Sequence, residues 1–321
     1  MDTHNNALSD VLASLKVSGQ VLLVDEYQPP WGIDIPTGSQ IAEALAMPPR
    51  TKVVPFHIVR RGSFELHSAE QDPLIIRTGE VAICTGSDRH QMIQGDPDRI
   101  VPFPELLGSC MNPITASGFG GSTELVCGVF MWRNTEHNPL IDALPRIVHT
   151  DVSGRDGGKT MELLTQLLVS ELSMTRAGYD YMASRFVELL CAESIRQYLD
   201  QHAHDHPGWF RAMSDPKIGP SLNAIHAAPN SNLSVASLAS GVNMSGSRFA
   251  ARFREVLGES VMSYVTSWRM NIASRLLVES ELNVEQIAHQ VGYESTASFS
   301  RAFSRAFGHS PARYRKDRER T

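Results

Sequence analysis

Nine residues in the last quarter of the chain have side chains suited to reading nucleic acid: Ser247, Arg248 and Arg252, then Ser295, Thr296, Ala297, Ser298, Arg301 and Arg305. A guanidinium can bond guanine O6 and N7 together in the major groove, hydroxyls can bond base edges or phosphates, and a small apolar side chain can meet the thymine methyl. A second set is made of histidines and cysteines. His202, His204 and His206 alternate as metal ligands could, but in a polar stretch flanked by proline a solvated turn accounts for them. Cys84, Cys110, Cys127 and Cys191 lie far apart without a CxxC pair, which gives neither a disulfide framework nor a zinc ribbon and implies reduced thiols.

The elements that carry the first set form an internal repeat. Leu238-Ala239-x-x-Val242-Asn243-Met244, then Phe249, Phe253 and Gly258, is matched by Ile287-Ala288-x-x-Val291-Gly292-Tyr293, then Phe299, Phe303 and Gly308. Each copy reads as a short helix (Ser234 to Ser240; Val284 to Gln290), a tight turn and a second helix (Ser245 to Leu257; Ser295 to Phe307). Small Ala239 and Ala288 let the helices cross closely, and Asn243 and Gly292 can take the left-handed backbone of the turn. Ser245 and Ser295 are suitable N-caps. Phenylalanines four apart bury one face of each second helix and leave the arginine-bearing face for a major groove. Two helical hairpins in a bundle would show the same apolar spacing. The local charge favours DNA, since from Asn230 onward 12 Lys and Arg face 8 Asp and Glu, whereas the preceding residues carry 17 against 27 within a total of −6.

A chain of 321 residues can bury at least two cores. Leu8, Val11, Leu12 and Leu15 have helical spacing, and short β-branched runs follow between turn residues: 21–24, 31–35, 53–59, 63–67, 74–77, 81–84, 90–93 and 124–132. These imply a small antiparallel barrel or sandwich, with a loop at 108–122. From Thr160 the period changes to three and four, predicting two helices before a partly helical linker over 202–232. The fold class is therefore α+β, with a sensing domain at 1–150, a helical dimerisation region at 151–219 and a DNA-binding domain at 220–321. No apolar run approaches the roughly 20 residues of a membrane span, and the polar start lacks a basic n-region, so a cytoplasmic location is expected.

The tail resembles the AraC/XylS family DNA-binding domain over residues 220–316. The resemblance rests on Trp268-Arg269-Met270, Ala273-x-x-Leu276-Leu277, the run from Ile287 to Phe303, and Gly308-x-Ser310-Pro311-x-x-Tyr314-Arg315. It implies two recognition helices in successive major grooves on one face of the duplex. The chain departs from the family in having Ala251 where many members carry an arginine equivalent to Arg301.

The N-terminal half resembles a cupin-type effector domain through Phe56-His57-Ile58-Val59-x-x-Gly62-Ser63, Gly79-Glu80-Val81-x-Ile83 and His90, with Pro30-Trp31-Gly32 as its opening strand. The resemblance implies a small-molecule pocket at a barrel mouth lined by Trp31, His57, Cys84 and His90. A metal-dependent cupin enzyme normally needs HxH and a carboxylate besides the later histidine. Here His57 stands alone, with His67 and His90 as the residues able to approach it, so neither metal, cofactor nor catalysis is expected. Cys84 admits a thiol-oxidation switch as the other alternative, against a small buried apolar residue. The expected protein is a ligand-responsive activator whose partners are operator DNA, a small-molecule effector, RNA polymerase and a second copy of itself.

Overall fold

A computed structural model describes residues 6–69, 71–106, 121–150, 156–174, 176–202 and 208–319. Most of the expected loop at 108–122, together with Cys110, His204 and His206, lies outside them. Helix α1 spans Asn6–Leu15, then come strands β1 (Val17–Tyr27) and β2 (Trp31–Ile35), helix α2 (Gly38–Ala44), and strands β3 (Lys52–Arg61), β4 (Ser63–Ser68), β5 (Gln71–Arg77), β6 (Val81–Ile83), β7 (His90–Gln94) and β8 (Val101–Pro102). Helix α3 (Phe103–Leu106), strand β9 (Thr123–Trp132), helix α4 (Pro139–Ala143) and strand β10 (Val148–Thr150) follow. The remainder is helical: α5 (Asp156–Met174), α6 (Tyr179–His202), α7 (Trp209–Ser214), α8 (Ile218–Ala227), α9 (Val235–Gly241), α10 (Gly246–Leu257), α11 (Val261–Glu279), α12 (Val284–Gln290), α13 (Thr296–Phe307) and α14 (Pro311–Glu319). No helix of the described residues is long and apolar enough to cross a membrane.

These elements form two compact units that do not follow chain order. One takes in Val17–Arg133 and Leu144–Asp200; the other takes in Met1–Lys16, Asn134–Ala143 and Gln201–Thr321. The first holds two five-stranded sheets, β1-β9-β3-β6-β10 and β5-β4-β7-β2-β8, antiparallel except for the β2–β8 pair. Inward residues of both sheets, among them Leu23, Val59, Leu125 and Val129 from one and Ile33, Phe64, Leu66 and Met92 from the other, share a single core. Burying each such side chain contributes about 1.5–3 kcal/mol. β9 lies inside its sheet between β1 and β3 and is buried on both faces, Leu125, Cys127 and Val129 facing the core between the sheets. That position explains why its sequence, TELVCGVFMW, is continuously apolar from Leu125 to Trp132 with no polar alternation. Gly128 is required there, as a Cβ would come within 2.3 Å of the Gln20 carbonyl oxygen and 2.7 Å of the Phe56 ring.

In the second unit α11 is the central helix. Tyr264, Trp268, Met270, Asn271, Ala273, Ser274 and Leu277 are all buried, so it is enclosed on several sides rather than amphipathic. Asn134–Ala143, the stretch that leaves β9, packs here. Asn271 Nδ2 donates to the carbonyls of Asn134 (3.4 Å) and Glu136 (3.0 Å), Ser274 Oγ donates to Asn134 Oδ1 (2.8 Å), and Tyr314 Oη donates to Glu136 Oε2 (3.0 Å). His137 meets the Phe307 ring edge-on at 5.0 Å. α1 joins the same assembly, with Asn138 Nδ2 donating to Val11 O and Ser14 Oγ.

Candidate DNA interface and sensing site

The two helix-turn-helix units are α9–α10 and α12–α13. Each first helix opens on a capping box, Ser234 with Ser237 and Asn283 with Gln286. The turns have the left-handed residues expected, Asn243 at φ 55 and Gly292 at φ 83, and each second helix ends on a left-handed glycine, Gly258 or Gly308. Phe299 and Phe303 are fully buried against Met270, Ala273 and Leu277 of α11, with Ile287, Ala288 and Tyr314 completing the cluster. In the first unit Phe249 and Phe253 are equally buried, and Phe253 meets Tyr264 edge-on at 5.9 Å.

This packing turns the opposite faces outward. Ser247, Arg248, Ala251 and Arg254 are exposed on α10, and Ala297, Arg301 and Arg305 on α13, with Thr296 and Ser298 half-buried. Among the described residues no ion pair engages Arg248, Arg301 or Arg305, so neither Glu294 nor Glu285 holds Arg301. Ser295 caps α13 by accepting from the Ser298 N–H, while Ser245 forms no such side-chain bond on α10. Arg252 does not belong with the exposed set. Its guanidinium makes a fork with Asp215, Nη2 to Oδ2 at 2.6 Å and Nε to Oδ2 at 3.1 Å. Asp215 in turn caps α8 through the Lys217 and Ile218 N–H groups. Burial alone would raise the Asp215 carboxyl, but Arg252 and those two N–H groups together hold it below the usual carboxylate range. Arg252 therefore braces α8 against α10 instead of reaching for bases. Asp215, unremarkable in the sequence, is the partner that decides this.

In the sheet unit three of the four expected effector residues converge. His57 lies on β3 directly opposite Cys127 on β9, Cys84 follows β6, and His90 opens β7. His57 Nε2 is 2.8 Å from His90 Nε2, His57 Nδ1 is 3.1 Å from Cys127 Sγ, and Cys84 Sγ is 3.5 Å from His90 Nε2. All four are buried. Burial pushes both imidazoles down and holds them neutral, His90 adding to the effect on His57, and it pushes the Cys84 and Cys127 thiols up. The proton positions follow from the acceptors. His90 Nδ1 carries a proton and donates it in a hydrogen bond to the Asp88 carbonyl at 2.9 Å, which leaves His90 Nε2 as acceptor. His57 then donates from Nε2 and accepts the Cys127 S–H at Nδ1.

A cavity of about 240 Å³ opens on Cys84 and His90, with Ser68, Gln71, Asp88, Arg146 and Ile147 in its wall. His57 sits behind His90 and is not in that wall. Trp31 departs from its expected place at the mouth: its Nε1 donates to Gln94 Oε1 at 2.7 Å, and its ring lies in the core between Tyr27 and Phe64. His67 turns to Glu65 at 2.9 Å and does not join His57.

Residues 6–200 match the family model described as Cupin, and residues 238–317 match the one described as a helix-turn-helix domain. A putative AraC-like transcription regulator of Streptomyces lividans is 29% identical over 267 residues, 83% of this chain and 87% of that protein. The HTH-type transcriptional regulator AlkR of Acinetobacter baylyi is 33% identical over 180 residues, 56% of this chain and 58% of that one. The solved C-terminal domain of AraT from Geobacillus stearothermophilus aligns at 32% identity with 32% of this chain and 87% of that domain, with a TM-score of 0.32. With the paired helix-turn-helix units and two-sheet domain described above, the chain belongs to the AraC family of transcription regulators and carries a cupin domain ahead of its DNA-binding module.

Proposed function

We propose that the chain is an effector-responsive activator that binds operator DNA as a homodimer, reads bases with α10 and α13, and recruits RNA polymerase. The observation that carries the responsive part is the connection between units. β1 and β9 are neighbours, with Val17 paired to Trp132, so two of the four chain crossings between the units, those at Lys16 and at Asn134, leave from adjoining ends of one strand pair. The stretch after β9 bonds α11, on which both recognition helices pack, and α14, which packs against the second. A ligand in the cavity that moves His90 reaches β9 through His57 and Cys127, and so acts on the helices that aim the DNA-binding faces, through a differential contact of the kind allostery requires.

Dimerisation is supported by apolar side chains that α5 and α6 leave in solvent: Leu163 (58% exposed), Leu167 (50%) and Met174 on the first, Met182 and Leu189 (52%) on the second. Spacings of four, seven and seven put each set on one stripe. A thiol-oxidation switch is less well supported, because the buried Cys84 and Cys127 thiols are held protonated and the thiolate is the reactive form.

Mapping the genomic sites bound by the full chain, and measuring transcripts from the bound promoters with and without it, tests the reading. Lower transcripts in its absence support activation. A Ser274→Ala, Glu136→Ala variant should occupy the same sites with an altered transcript response. An unaltered response in that variant refutes the route through Asn134–Ala143.

A further inference from the structure

We propose that His57, Cys84 and His90 bind one thiophilic divalent cation, zinc being the best fit, at the floor of the cupin-domain cavity. This goes beyond the sequence expectation of no metal, and it deepens the reading of this domain as the sensing unit. The ligand atoms of the three residues all lie within 4.8 Å of one another. A tetrahedral zinc with Zn–N of about 2.0–2.1 Å and Zn–S of about 2.3 Å sets its donors about 3.3 Å (N to N) and 3.5 Å (N to S) apart. The Cys84–His90 separation of 3.5 Å already fits, and the two Nε2 atoms, now 2.8 Å apart, need to part by about 0.5 Å.

The surroundings are those of a ligand set. Each imidazole is oriented through its other nitrogen, His90 by the Asp88 carbonyl and His57 by Cys127 across the β3–β9 ladder, which is how the outer shell of a metal site fixes its histidines. A soft sulfur with two imidazoles selects zinc-like ions over calcium or magnesium, and no carboxylate joins the set. Without metal, one proton lies between the two Nε2 atoms. On metal binding that proton moves to His57 Nδ1, where Cys127 Sγ accepts its hydrogen bond, and the Cys84 thiol proton leaves to solvent, so one proton is released per ion. A cation overcomes the high thiol pKa because coordination deprotonates the sulfur outright. Two of the three ligands line the cavity, so the remaining coordination position is reached from it by water or a small anion. An anion there would also offset the single positive charge that one thiolate leaves on a divalent ion.

The test uses the untagged full chain, stripped with chelator and reloaded with zinc alone or cobalt(II) alone. The expected result is about one zinc per chain and, in the cobalt form, a thiolate-to-cobalt charge-transfer band with the strong visible bands of four-coordinate cobalt. Cys84→Ser should abolish the charge-transfer band and cut zinc retention by at least about tenfold, whereas Cys127→Ser should keep the band. A cobalt-loaded parent without the band overturns the proposal with no variant needed. So does a band that persists in Cys84→Ser, or one lost in a folded Cys127→Ser. Operator binding by the stripped chain, measured in parallel, reports separately on the DNA-binding reading.

Discussion

Replacing Arg301 with alanine separates base reading from simple attraction to DNA. Arg301 is exposed on α13, on the side away from the buried Phe299 and Phe303, and no described residue pairs with its guanidinium. Removing it breaks no internal contact, and alanine is the better helix former, so folding is left intact. On the proposed base reading the loss is one bidentate bond to a guanine, about 1–3 kcal/mol. At 1.4 kcal/mol per decade that is about 5- to 150-fold in affinity for the correct operator. Arg305 lies one turn further along, also exposed, where a phosphate contact is the expectation. Its loss should weaken all sequences by a similar factor and reduce the salt slope by about one. The assay is binding of the full chain to the mapped operator and to every single-base variant, at two salt concentrations. Preference should flatten at one base pair for Arg301→Ala and nowhere for Arg305→Ala. If Arg301→Ala weakens every variant equally and leaves the profile's shape unchanged, base reading by this residue is refuted.

Three further outcomes follow from contacts described above. Arg252→Ala should lower stability by about 1–3 kcal/mol, because it strands the Asp215 carboxylate, 8% exposed, and should leave the base-preference profile unchanged; Arg252→Lys should recover only part, lacking the fork. His226 Nε2 is hydrogen-bonded to Tyr264 Oη at 2.7 Å and the ring stacks on Trp268 at 4.1 Å, and burial takes its pKa down to about 3. The unfolded chain binds this proton first, so the stability is whole above about pH 6.5 and is lost as pH falls towards 3, by about 2 kcal/mol at pH 5. Urea unfolding at pH 7 and pH 5 should show that loss shrinking in His226→Gln, and an unchanged loss would rule out His226 as its source. Finally, Leu163→Glu with Leu167→Glu should shift the chain to monomer in sedimentation without altering its melting temperature, and an unshifted dimer places the interface elsewhere.

The DNA-binding module was legible because its signals are local. A phenylalanine stripe, a cap and a left-handed turn residue all lie within about 25 positions of one another, and the structure returns α12 at Val284–Gln290 and β2 at Trp31–Ile35 with the limits expected. The sheet domain was legible in its strands but not in its partners. That His57 faces Cys127 depends on the β3–β9 register, between positions 70 residues apart, and alternation in one strand carries no information about its neighbour. The sequence places Trp31 on the right strand but not its ring, because Gln94, which accepts from the indole, and Thr123, which donates to the same Gln94 oxygen, come from two other strands. Helix α2 went unseen although Thr37 and Gln40 form a capping box at its start.

The same difference in range bears on how the protein can work. A recognition face built from one helix is complete as soon as that helix is packed, so under the proposed response a ligand acts on the helix's support and not by rearranging its residues. The support is α11, and polar residues far from it in sequence, Asn134 and Glu136, have their bonds there, in contact with Asn271, Ser274 and Tyr314. Asn138 is fully buried and tied to α1, so this stretch is not a loose tether. It begins where β9 ends, and β9 also carries Cys127, the residue that orients His57. One continuous segment therefore has one end in the histidine–cysteine cluster and the other on the helix that both DNA-binding hairpins share. On the proposed effector-responsive reading, linkage requires that a ligand the cavity holds more tightly in one setting of that segment bind more tightly when the operator favours the same setting, and by the same factor.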